Sequence, residues 1–230
     1  MAEPQIVALG AGYGDTPEQS ALLRAYVLES TGSSRPKLLY LPTALADSGY
    51  SAQGVVDFYG RYRGRAETTH VFTFPWPPDD LRGLMLDQDA ICVSGGNTAN
   101  MLAIWRVHGI DEILREAWER GIVLFGGSAG MICWFEHGVT DSFGPQLEGM
   151  ECLGFLPGSA CPHYDDEELR RPRYRELVDT GFPAGIAADD GVALHYVGTE
   201  LAEAVTSRAG AAAYRVTPGG EERIEARLLA

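Results

Sequence analysis

The sequence predicts an α/β fold, a largely parallel sheet with helices on both faces. Two observations carry this. Short apolar runs alternate with longer amphipathic stretches through the first half of the chain, the order expected of repeated strand–helix units. The runs are also continuously apolar rather than alternating, as strands are when both faces are buried. Residues 6–10 (IVALG) form the first strand, and residues 16–30 the first helix, with Thr16 as its cap and Pro17 at its first position. Residues 37–42 (KLLYLP) are the second strand, 51–62 a helix, and 70–74 a third strand closed by the proline-rich segment 75–78. A fourth strand over 89–94 (DAICVS) ends at Gly95-Gly96, helices follow over 97–107 and 110–120, and a fifth strand over 122–125 ends at Gly126-Gly127. An apolar helix is expected after Ser128. Further on, residues 139–162 are rich in glycine, proline and polar side chains. Residues 187–197 and 201–216 read as strands joined by turns, and 221–229 as a final edge strand. Without an internal repeat, a linker or a low-complexity segment, residues 1–230 read as one domain.

The composition narrows the partners. A net charge of −14, from 32 acidic and 18 basic residues, argues against nucleic acid, because phosphate binding needs a basic face. The four cysteines form no CxxC pair, so a zinc site has little support. No apolar stretch is long enough to span a bilayer. The first residues, Met-Ala-Glu-Pro-Gln, lack the basic flank and apolar run of a signal peptide. The expected compartment is a reducing cytoplasm.

The strongest chemical signal is the run 124–130 (LFGGSAG), followed by MICWF. An apolar strand enters Gly126-Gly127-Ser128-Ala129-Gly130, and small residues around the serine permit a sharp turn. Such a turn presents the hydroxyl at a helix N-terminus, where free N–H groups favour developing negative charge. This is the logic of a nucleophile elbow; an ordinary tight turn has the same spacing. A second glycine turn, Ser94-Gly95-Gly96-Asn97-Thr98, ends the preceding strand. Adjacent parallel strands bring their C-terminal ends together, where ligands bind, so N–H groups near Gly96 and Ala129 can face each other as an oxyanion hole. The plain alternative is a helix cap served by Asn97 or Thr98. The run does not fit the dinucleotide fingerprint G-x-G-x-x-G, and no P-loop lysine follows.

A serine nucleophile needs a base. Among the five histidines, His70 starts a strand away from the strand ends, His108 sits between two helices, His137 closes the helix behind Ser128, and His195 lies inside a strand. His163 leads by elimination, in a loop after Pro162 and before an acidic run. The base in turn needs an orienting carboxylate. Asp189 and Asp190, before Gly191, are candidates, although Asp-Asp-Gly is also a common solvated turn. Asp165, Asp166, Glu167 and Glu168 are alternatives that a helix start explains equally well.

The pieces Ser94-Gly-Gly-Asn-Thr98, Gly126-Gly-Ser-Ala-Gly130, Pro162-His163 and Ala188-Asp-Asp-Gly191 stand in the order found in peptidase E, or α-aspartyl dipeptidase, and the chain resembles that family, whose relatives include cyanophycinase. The resemblance implies a three-layer α/β sandwich like that of class I glutamine amidotransferases, with serine at the elbow. It implies Ser128 as nucleophile, His163 as base and Asp190 as third member, where the family usually has a glutamate before a glycine. Aspartate is one methylene shorter, so the turn must sit closer to His163 or a water must bridge; Asp189 is the fallback. It implies oxyanion donors at Gly96 and Ala129, with Asn97 and Thr98 beside the substrate. A preference for N-terminal aspartate calls for an arginine: Arg170 first and Arg173 second, against the plain reading of a helix with solvated arginines. The implied activity is serine-type hydrolysis of short peptides, dipeptides with N-terminal aspartate above all, through an acyl-enzyme. No metal or organic cofactor, nucleic acid or membrane takes part, and a homodimer is the implied assembly. Two other readings stay open: a serine hydrolase with a different peptide, isoaspartyl or ester substrate, and a non-catalytic amidotransferase-like protein that binds a small ligand.

Overall fold

The computed structural model describes residues 3–11, 16–46, 48–166 and 168–230. In the first half, strands β1 (Gln5–Leu9), β2 (Lys37–Leu41), β3 (Glu67–His70), β4 (Ala90–Val93) and β5 (Val123–Gly127) alternate with helices α1 (Pro17–Ser30), α2 (Gly49–Tyr62), α3 (Leu81–Leu86), α4 (Thr98–His108) and α5 (Ile110–Glu119). After the short helix α6 (Ala129–Ile132) come β6 (Phe135–Thr140), β7 (Glu148–Glu151), β8 (Leu156–Cys161), α7 (Arg170–Asp179), β9 (Gly185–Ala188), β10 (Val192–Val197), β11 (Glu200–Thr206), β12 (Ala212–Thr217), β13 (Gly220–Glu225) and β14 (Arg227–Leu228). These strands make an eight-stranded sheet of order β14-β11-β10-β1-β5-β4-β2-β3 and a six-stranded sheet of order β13-β12-β9-β8-β6-β7. The five N-terminal strands are mutually parallel, and β10 joins β1 antiparallel.

The faces of the large sheet are covered differently. Successive residues of β1 alternate between two cores. Val7 and Leu9 pack with Leu23 and Val27 of α1 and with Val55 and Phe58 of α2. Ile6 and Ala8 pack with Trp105, Leu114 and Trp118 of α4 and α5, and in the same cluster with Leu156, Ile186 and Ala213 of the six-stranded sheet. The second sheet therefore shares one face of the first with α3–α5. Its own far side is closed by α7, through Tyr174 and Val178 against Val139, Cys161 and Val216. Burial on both faces explains why these strands are continuously apolar.

Local chemistry sets the helix ends as the sequence predicts. Thr16 and Gln19 form a reciprocal capping box at α1. Asn97 caps α4, and Gly109, at φ 68°, ends that helix and opens α5. Three expectations change. The third strand is Glu67–His70 rather than residues 70–74; it is an edge strand paired only with β2, so polar residues suffice. The apolar helix after Ser128 stops at Ile132 and the chain turns into β6, which places His137 on a strand. Here tertiary hydrogen bonds override helix propensity: the Cys133 carbonyl accepts from Leu153 N–H at 3.0 Å and the Trp134 carbonyl from Phe155 N–H at 2.7 Å. Residues 139–162, rich in glycine, proline and polar side chains, carry the end of β6 and all of β7 and β8. Helix α3, capped by Asp80 through Gly83 N–H at 2.9 Å, has no counterpart in the sequence reading.

The β5–α6 turn is possible because backbone meets backbone there. A β-carbon on Gly130 would lie 2.4 Å from the Val93 carbonyl oxygen, as would one on Gly126. Gly130→Ala is accordingly expected to lower stability by ~1–3 kcal/mol through overpacking against a fixed carbonyl. Gly60→Ala, in α2 with nothing within 4 Å of the new carbon, should instead raise it by ~0.5–1 kcal/mol. Thermal or denaturant unfolding of the two variants checks the contrast.

Candidate active site

Where the chain passes between the two sheets, His163 pairs with Asp190, and His163 and Ser128 line the same cavity. Ser128 follows β5 of the large sheet and leads through α6 into β6 of the small one. Asp190 lies in the turn from β9 of the small sheet to β10 of the large one. His163 follows β8, which pairs in parallel with β9 so that Cys161 stands opposite Ala187. Two parallel strands that end side by side thus deliver His163 and Asp190 to the same place.

The end of β1 ties these pieces together. Leu9 pairs with Gly127, one residue before Ser128. Gly10 donates its N–H to the Val192 carbonyl at 2.9 Å and accepts from His163 N–H at 3.2 Å. The Ala11 carbonyl accepts from Gly191 N–H at 3.0 Å. A β-carbon on Gly10 would lie 2.3 Å from the Asp189 carbonyl oxygen, so only glycine permits this approach.

The His163 imidazole is oriented from one side. Its Nδ1 lies 3.0 Å from Asp190 Oδ1, with the two side chains 21% and 24% exposed. No bridging water is needed to span the shorter aspartate. The Asp190 turn is itself held: its N–H donates to Asp165 Oδ1 at 2.9 Å, and Asp165 pairs with Arg208. Asp189 points elsewhere. It is 3% exposed, accepts from Ala212 N–H at 2.9 Å through Oδ2, and leaves Oδ1 without a hydrogen-bond partner. Burial raises the Asp189 carboxyl above its usual range, with the Ala212 N–H acting in the opposite direction. Asp166 and Glu168 are exposed, and Glu167 lies outside the described residues. Next to His163, Tyr164 donates to Glu221 Oε2 at 2.6 Å, and Arg171 pairs with the same carboxylate.

Ser128 and His163 both have positive φ, 57° and 54°, a conformation costing about 1–3 kcal/mol for residues with a β-carbon. Both line one cavity of about 530 Å³. Gly95 approaches Ser128 closely, since a β-carbon there would lie 3.9 Å from Ser128 Oγ. Gly96, at φ 134°, packs against the Ala44 carbonyl. Among the described residues, the N–H groups of Gly96 and Ala129 have no backbone acceptor, as is ordinary for amides at the start of a helix; the cavity lining includes their neighbours Gly95 and Ser128 rather than these two residues.

Other expected site residues stand apart. Asn97 is a helix cap, accepting from Asn100 N–H and donating to the Ser142 carbonyl, both at 2.9 Å; Thr98 is 1% exposed. Arg170 is buried, and Arg173 donates to the Leu147 carbonyl and to Glu176. None of the four lines the Ser128 cavity. The arginines that do are Arg24 of α1 and Arg61 of α2, together with Asp57, Ser20, Tyr40, Phe58 and Tyr62. The sequence holds no signal for them, because only packing of α1 and α2 against the sheet brings them over the strand ends. His195 is engaged with Tyr26 and Gln5, and His70 with Tyr59. Among the described residues no group of three or more His, Cys, Asp or Glu side chains is arranged to hold a metal ion, and no helix is long and apolar enough to cross a membrane.

Comparison with known proteins shows the family and the fold. The sequence model of peptidase family S51 matches residues 6–204. An uncharacterized peptidase, YgaJ, of Bacillus subtilis (strain 168) is 44% identical over 223 residues, covering 96% of this chain and 95% of its own. A peptidase from an acI-B1 Actinobacterium superposes with a TM-score of 0.69 at 18% identity, over 97% of this chain and 95% of that one. A putative peptidase E protein from Listeria monocytogenes EGD-e superposes with a TM-score of 0.60 at 15% identity, over 90% and 99%.

The two neighbouring aspartates are separable by experiment. Asp190→Asn is expected to slow reaction of Ser128 with a fluorophosphonate on the order of 100-fold or more, by releasing the imidazole tautomer. Asp189→Asn should leave that rate within about threefold while changing stability, since it replaces a buried carboxyl remote from the imidazole. The inverse pattern would assign the orienting role to Asp189.

Proposed function

The chain belongs to peptidase family S51, a serine peptidase family, and from that premise we propose that it hydrolyses short peptides through a Ser128–His163–Asp190 triad. The observation that carries the reading is the 3.0 Å pairing of His163 Nδ1 with Asp190, with His163 and Ser128 both lining one cavity. With Nδ1–H directed at the carboxylate, Nε2 is left as the basic nitrogen. It takes the Ser128 proton as Oγ attacks the scissile carbonyl. The carbonyl π pair moves onto oxygen, and the Gly96 and Ala129 N–H groups stabilise that oxyanion. Collapse breaks the C–N bond while His163 returns the proton to the leaving amine. Water then attacks the acyl-enzyme, with His163 again taking and giving the proton, and the acid product leaves with Ser128 restored.

The first substrate class we propose is dipeptides with N-terminal aspartate, following the peptidase E resemblance. A cavity of about 530 Å³ lies in the range typical of small-molecule sites and supports a short substrate.

The test uses a panel of Asp-Xaa, isoaspartyl, Gly-Xaa and Ala-Xaa dipeptides. Asp-Xaa peptides should be cleaved best, and Ser128→Ala should lower kcat by about 10⁴-fold or more with the fold intact. Undiminished hydrolysis by Ser128→Ala removes the nucleophile from this reading. Cleavage confined to another peptide class replaces the substrate while keeping the triad.

A further inference from the structure

The Ser128 cavity has a wall that the triad does not use. Helices α1 and α2 carry Ser20, Arg24, Asp57 and Arg61 into it, next to the aromatic rings of Tyr40, Phe58 and Tyr62. Tyr40 and Phe58 stack at 4.8 Å and 11°, giving that side a rigid apolar surface. In a chain of net charge −14, this wall brings the Arg61 guanidinium to the same cavity as the Asp57 carboxylate. Arg61 forms no ion pair among the described residues. Asp57, one helical turn earlier, accepts instead from Gln53 Nε2 at 2.8 Å through Oδ1. The cavity thus offers the Arg61 guanidinium and the Asp57 carboxylate along one wall, with the hydroxyl and the imidazole elsewhere on its lining.

We propose that Arg61 binds a carboxylate of the substrate, and that Asp57 binds its ammonium group, so that the α1–α2 wall selects short peptides with free ends. This rests on the reading of Ser128 as the reacting centre, and it moves substrate recognition away from Arg170 and Arg173, which do not line the cavity. A planar guanidinium suits a carboxylate because it can donate two parallel hydrogen bonds. A peptide whose end is blocked would forgo one of these charged contacts. The carboxylate has two sources, an acidic side chain on the first residue or the peptide C-terminus.

Calorimetric binding to the Ser128→Ala protein tests the wall without requiring turnover, with Asp-Leu, Asn-Leu, Asp-Leu-amide and acetyl-Asp-Leu as probes. Arg61→Ala in that background should weaken Asp-Leu by about 10- to 100-fold, with Arg61→Lys recovering part of the loss. Arg61 lies on the exposed face of the last turn of α2, where substitution is compatible with folding. If the side chain is the source, Asn-Leu binds weakly and ignores Arg61→Ala; if the C-terminus is, Asp-Leu-amide does so. Acetyl-Asp-Leu should bind weakly and be indifferent to Asp57→Asn. Equal binding of all four probes, binding of none, or Asp-Leu binding unchanged by Arg61→Ala overturns the assignment. Fluorophosphonate labelling of Ser128 in the unmodified protein is read separately: its absence defeats the catalytic reading, whereas the binding series stands or falls without it.

Discussion

The close approach of Gly10 to the backbone of Ala188 and Asp189 is the contact on which the site depends. β1 lies at the centre of the large sheet, parallel to β5 on one side and antiparallel to β10 on the other. Its last residues can therefore touch both the serine turn and the aspartate turn. The Gly10 carbonyl also holds the backbone of His163. One short peptide segment fixes three loops that are distant in sequence, and a single β-carbon on it would overlap a carbonyl oxygen at 2.3 Å. Side-chain geometry set by strand ends in this way is more rigid than geometry set by loops alone.

That rigidity is needed because two of the three residues are strained. Ser128 and His163 both sit at positive φ, and neither would remain there without surrounding structure to hold it. Around Ser128 the restraint is steric, with Gly126 and Gly130 both packed on the Val93 carbonyl. Around His163 it is polar. Tyr164 and Arg171 converge on Glu221 from the six-stranded sheet, and Asp165 couples the histidine loop to the Asp190 N–H and to Arg208. Burial alone would raise the Glu221 carboxyl, yet the hydrogen bonds from Arg171 and Tyr164 bring it below its usual range. Its folded value being depressed, this contribution is complete above the unfolded carboxylate range and is lost as pH falls through the folded one. The second sheet thus supplies His163 and Asp190 and also the anchors that keep them in place.

What was legible in the sequence follows from how local each constraint is. The serine turn is written in Gly126, Ser128 and Gly130 because the steric demand there falls on neighbouring residues. The capping pair Thr16–Gln19 and the shared Gly109 are local for the same reason. The β6–β8 part of the six-stranded sheet is not legible, since β7 and β8 contain glycine and polar residues and pair with β6 rather than in a local apolar pattern. The geometry that separates Asp190 from Asp189 is equally non-local: one side chain turns toward His163 and the other toward Ala212 N–H. The family resemblance named Asp190 without supplying that geometry. The arginines of the cavity carry no local signal. A helix pattern tells which face is apolar, but not which polar residue at its margin overhangs a strand end, and so Arg24 and Arg61 look like any solvated arginine.

The most direct measurement is the tautomer of His163 by nitrogen-15 NMR of the imidazole at neutral pH. The geometry requires the proton on Nδ1, hydrogen-bonded to Asp190, with Nε2 bare and perturbed when Ser128 is acylated. A proton resident on Nε2 instead, or an imidazole signal indifferent both to Asp190→Asn and to acylation of Ser128, would contradict the account.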